Sequence, residues 1–235
     1  MLNPQQNKQV MTFPFDTCEI PQKNWMQQPY SVLVNLGIIS IIFYYISKTK
    51  TWPQFSVLFS LLLFELSHTF SHFIHIPGRI EFLVTHGLSL VTLFSIFFLF
   101  YSQTNRYPPD TVMSIIAMLV ALDAWVIYQK MAFTFNILTV LIIFFLILGF
   151  YYFYLPADKK KTIFHLILAS LFFLVIEFNE TYRCQQMLDW FPEFPFHILV
   201  ELSAVLPVYL ICRLFYDFWS QNSSRLGNKN LNLIV

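Results

Sequence analysis

Five of the six histidines in this chain gather where apolar segments begin or end, and imidazole is the commonest biological metal ligand. His68, His72 and His75 fall within FELSHTFSHFIHIPG, His86 follows eleven residues after His75, and His197 opens the last apolar segment as HILVE. Polar groups at membrane depth are costly, so such a cluster reads as functional. On a helix, Ser67, Ser71 and His75 repeat every four residues along one face, while His68 and His72 form a second stripe about 100° away. His197 and Glu201 are also four apart, so one helical face can present both to a single ion. His75, His197 and Glu201 together would form a two-histidine, one-glutamate set with an open fourth position, the arrangement of catalytic rather than structural zinc. The plainer alternative makes these residues interhelical hydrogen-bond partners or interfacial side chains near water. The sixth histidine, His165, stands apart at the start of another segment.

The elements that must carry these residues are membrane helices. Of 235 residues, 57% are hydrophobic, 19% aromatic and only 11% charged, whereas soluble domains are about 25% charged. A helix needs roughly 20 apolar residues to cross the hydrocarbon core. Stretches of that kind run at about 30–47, 53–76, 80–101, 110–129, 132–155, 161–183 and 196–219. The expected fold is an all-α integral membrane bundle of seven transmembrane helices over residues 30–219. An extracytosolic segment precedes it over 1–29, and a polar, disordered cytosolic tail follows over 220–235. No apolar signal region precedes Tyr30, so the first helix is expected to direct insertion.

Basic residues set the orientation. With the amino terminus outside, the cytosolic segments hold Lys48, Lys50, Arg106, Lys159, Lys160, Lys161, Arg225 and Lys229. The opposite side then holds only Lys8, Lys23, Arg79, Lys130 and Arg183, which favours an outside amino terminus and a cytosolic carboxyl terminus. All five clustered histidines then lie near the extracytosolic face of a multi-pass membrane protein. A net charge of +1 and the lack of a basic, aromatic-interleaved patch exclude a nucleic-acid partner.

Several motifs now fall in order. The segment before the first helix reads FDTCE, with Asp16, Cys18 and Glu19. Ser71 and His75 form a Ser-x3-His pair, His86 follows on the third helix, Glu180 stands four residues before Cys184, and His197 with Glu201 opens the seventh helix. This series resembles the alkaline ceramidase family, within the superfamily of seven-helix membrane hydrolases that includes the adiponectin and progestin receptors. The family carries an aspartate where His86 stands, a histidine ligand where Glu201 stands, and a calcium-binding glutamate where Gln28 stands. The resemblance implies a zinc-dependent membrane hydrolase acting on a ceramide-like lipid in the bilayer.

Cysteine placement adds to this. Cys18 precedes the first helix and Cys184 is expected to follow the sixth, so both lie on the outer side, where thiols oxidise, and they can pair or stay separate. The resemblance implies the Cys18–Cys184 disulfide. Cys212, within the seventh helix, reads as a buried free thiol. Asp16, Glu19, Asn24, Gln28 and Asn35 offer the hard oxygen ligands that calcium uses, and the resemblance points to the same place. The plainer reading of those residues, a solvated turn capped by Asp16, is preferred to calcium.

The mechanism implied is zinc-assisted hydrolysis of a lipid amide or ester, in which Ser71 donates to the developing oxyanion. His86 either shuttles a proton or closes the site as a fourth ligand. Glu65 and Glu177 lie within helices and could each hold an imidazole in one tautomer, while Asp123 is a helix-four carboxyl of unassigned use. Two other classes fit the same residues: a catalytically silent, metal-containing lipid receptor or scaffold, and a proton or metal transporter. Transport would extend the polar track to the cytosolic side, where these helices become almost purely apolar. No Gly-rich phosphate loop or Gly-x-Ser-x-Gly elbow occurs, and the seventh helix from His197 to Trp219 has no lysine for a retinal Schiff base.

Overall fold

A computed structural model describes Cys18, Met26 and residues 28–74, 78–128 and 133–231. The described residues form seven α-helices and no strand: α1 (Pro29–Ile46), α2 (Trp52–Phe73), α3 (Gly78–Thr104), α4 (Asp110–Tyr128), α5 (Phe133–Tyr151), α6 (Ala157–Trp190) and α7 (His197–Leu231). Local chemistry explains most boundaries. Pro29 and Pro53 stand in the first turns of α1 and α2, where a missing N–H costs nothing. Asp110 and Asp158 place negative charge in the first turns of α4 and α6. Asn105 ends α3 with φ 49°, a left-handed stop that Asn tolerates better than most residues.

Two ends differ from the sequence reading. The polar run after residue 183 stays helical, so Cys184 lies inside α6 rather than after it. The helix stops only at Phe191, whose φ of −138° and ψ of 82° leave the helical region that the ring of Pro192 disfavours in its predecessor. Likewise α7 continues to Leu231 through the tail expected to be disordered, since extending an existing helix needs no new nucleus.

Among the described residues, four helical stretches are long and apolar enough to cross a membrane: Pro29–Ile46, Phe135–Tyr154, Ala157–Trp190 and His197–Tyr216. In α2 the polar residues turn inward, with Gln54, Glu65, Thr69, Ser71 and His72 all buried. Large apolar side chains point outward instead, among them Phe94, Met118, Phe153 and Phe172. An apolar exterior around a polar interior is the distribution a hydrocarbon solvent selects.

Helix α1 packs on α2 and α7, α2 packs on α3, α4 on α5, and α6 on α7. One apolar core joins α3, α5, α6 and α7 around Phe100, Tyr151, Leu166 and Phe215. A second joins α1, α2 and α7 around Ile38, Ile42, Leu58 and Cys212, the buried free thiol. These cores hold the carboxyl-terminal half of α2 against the amino-terminal end of α7, where the polar residues collect.

Candidate metal centre

Helix α2 presents the His68 and His72 stripe to α7, and α7 answers with His197 and Glu201. Three imidazole nitrogens surround one carboxylate oxygen: Nε2 of His68, of His72 and of His197 each lies 3.0 Å from Oε1 of Glu201. The Nε2 atoms of His68 and His72 are 3.2 Å apart. His72 is fully buried, and His197 and Glu201 nearly so. Candidate ligand atoms of His68, His72 and Glu201 all fall within 4.8 Å of one another, so the group could hold a metal ion.

The far sides of two rings are fixed. His197 donates its Nδ1 proton to Glu180, whose two oxygens both lie at 2.9 Å. His72 donates its Nδ1 proton to the side-chain carbonyl of Gln28. A neutral imidazole carries one ring proton, so with Nδ1 protonated the Nε2 of both rings exposes a lone pair. The His72 lone pair and the Glu201 carboxylate oxygen then face each other at 3.0 Å, with the Nε2 of His68 beside both. Such a convergence repels itself unless a cation sits within it, and metal-ligating histidines commonly use their second nitrogen in this way. The donor set therefore fits a metal ion.

One holding group, Gln28, immediately precedes α1, and the other, Glu180, stands on α6. Gln28 also donates its backbone N–H to the carbonyl of His72 at 3.1 Å, so both ends of that residue clip α2. Cys18 is disulfide-bonded to Cys184, with Cα atoms 5.3 Å apart. Glu180 stands one turn before Cys184 on α6, and the bridge brings the Cys18 backbone N–H to 2.6 Å from its Oε1. The chain of contacts thus runs from disulfide to Glu180 to His197 to Glu201.

The residues expected from sequence divide among these places. His197 and Glu201 meet as expected, whereas His75 lies outside the described residues. His68 and His72, from the stripe not chosen above, join the cluster instead. Ser71 is buried, and its hydroxyl donates to the carbonyl of His68 at 2.6 Å. His86 is buried on α3 and interacts with Asn136 of α5, whose amide donates to Asp123 of α4 at 2.6 Å. Of the residues considered for calcium, Asp16, Glu19 and Asn24 lie outside the described residues, and Gln28 is engaged by His72. Asn35 is fully buried on α1, its amide without a hydrogen-bond partner among the described residues.

Beside the cluster lies a cavity of about 210 Å³. Glu65, His68, Ser89, Asn136, Ser170, Glu177, His197 and Glu201 form its polar wall, and apolar residues such as Phe64, Val140, Phe173 and Ile211 form much of the rest. His72 and His86 do not line it. No family model, curated protein or solved structure matches this chain.

Proposed function

We propose that this chain is a zinc-dependent membrane hydrolase that cleaves an amide or ester bond in a ceramide-like lipid, as its resemblance to the alkaline ceramidases suggests. In this reading all seven helices span the bilayer, with the amino terminus and the metal end outside. The observation that carries it is the gathering of His68, His72 and the buried Glu201 carboxylate within 4.8 Å of one another beside a largely apolar cavity. A zinc ion there supplies a water whose pKa falls from 15.7 towards about 7. The protein's own residues do the rest. His68, His72 and Glu201 hold the ion with support from His197, Glu180 and Gln28 fix the rings, and the apolar wall takes the lipid chain.

One observation favours a second reading. His197 stands beside the His68, His72 and Glu201 group with its Nε2 also 3.0 Å from Glu201, and as a fourth donor it would fill a tetrahedron and leave no open position. A closed site of that kind belongs to a silent metal-containing lipid receptor or scaffold.

The deciding experiment pairs elemental analysis of the purified full-length chain with fatty-acid release from a long-chain ceramide and from a matched ester. The hydrolase reading expects about one zinc per chain, release that stops on chelation, and recovery when zinc is returned. Zinc-replete protein that releases nothing from either lipid would establish the receptor reading.

A further inference from the structure

The polar wall of the cavity contains two carboxylates that the metal centre leaves unused, Glu65 and Glu177; Glu177 has a partner, and Glu65 is the one beside His68 on α2. Glu65 is 5% exposed and lies one helical turn before His68 on α2, in the same wall as His68, His197 and Glu201. It interacts electrostatically with His68 and Glu201, yet among the described residues no hydrogen bond or ion pair holds its carboxylate. No Lys or Arg among those residues lines the cavity either. A carboxyl left unheld at membrane depth is expensive, and its default reading is functional.

We propose that Glu65 is the residue that moves the proton during lipid hydrolysis, an inference that rests on the hydrolase reading above. His86 was the sequence's choice for this task, but it does not line the cavity and faces Asn136 instead. A proton-transfer group must reach both the attacking water and the leaving atom. Glu65 opens onto the space that the scissile bond would occupy. For an amide, the oxygen of water bonds to the carbonyl carbon while the water's proton passes to the Glu65 carboxylate. The carbon–nitrogen bond then breaks, its electron pair goes to nitrogen, and nitrogen takes the proton from Glu65. The fatty acid and the amine leave, and Glu65 is again a carboxylate.

The test uses the full-length protein in micelles, with ceramide as substrate and with zinc content, KM and kcat measured for Glu65→Gln, Glu65→Asp and His86→Ala. Glu65→Gln keeps the shape but cannot shuttle a proton. It should retain zinc and KM while kcat falls by about 100-fold or more, and Glu65→Asp should regain part of the loss. The proposal is overturned by a zinc-bound Glu65→Gln protein within about tenfold of the parent kcat, by loss of zinc from both Glu65 variants, or by collapse of kcat in His86→Ala alone. A parent protein that holds zinc but hydrolyses nothing refutes the hydrolase reading itself, and the role of Glu65 with it.

Discussion

Three imidazoles crowd one carboxylate oxygen here, and the two whose outer nitrogens are already committed have no proton left to offer it. That shortage makes His72 and His197 acceptors, and it predicts how the site responds to substitution. His68→Ala and His72→Ala should each strip zinc from the purified protein, read as metal per chain after dialysis. Retention of full zinc by either variant would remove that histidine from the ligand set. Glu180→Gln should keep zinc but weaken it by about 10–100-fold, because a neutral amide holds the His197 ring less firmly than a carboxylate does. A competition titration with a chelator measures that change, and unchanged affinity would reduce Glu180 to a partner of the Cys18 backbone. Which histidines meet was only partly legible in the sequence. Four-residue spacing marked His197 with Glu201 and also offered two stripes on α2. Nothing in one helix says which stripe turns toward another, since that depends on how α1, α3 and α7 pack around it.

At the scale of elements, two described residues before α1, Cys18 and Gln28, anchor at the histidine cluster. They reach α6 through the Cys18–Cys184 bridge and α2 through Gln28, and each anchor includes or touches a group that holds a metal-facing ring. Cutting the bridge should therefore be felt at the metal. The Cys18→Ser and Cys184→Ser variants, or the parent protein under reductant, should bind zinc about tenfold more weakly, because Glu180 loses the Cys18 N–H that fixes it against His197. Equal zinc affinity in oxidised and reduced protein would show that the bridge ties the chain without tuning the site. The existence and approximate extent of all seven helices were legible, because hydropathy over about 20 residues is a strong signal. The last turns of α6 and the continuation of α7 were not. Their residues are polar, and their helicity comes from propagation out of an apolar helix rather than from composition.

For the whole molecule, the contacts at the metal end constrain how often the chain can cross the bilayer. Cys18 stands before α1 and its disulfide partner lies in the last turns of α6, so the number of crossings between them must be even. His72 lies near the end of α2 and meets His197 at the start of α7, so the crossings made by α3 to α6 must be even as well. Six crossings before α7, two of them before the end of α2, satisfy both conditions, and α7 then carries the carboxyl terminus to the opposite side. Seven spans satisfy this parity, and in the proposed arrangement the surplus of lysine and arginine on the other side would put the histidine cluster outside. Glycosylation acceptor sites placed singly in the 104–110 loop and after residue 231 should stay unmodified in microsomes. A site placed between Trp190 and His197 on an extended linker should be modified. Modification at the carboxyl terminus would reverse the orientation, and modification at both ends would break the odd count on which the outer placement of the site depends.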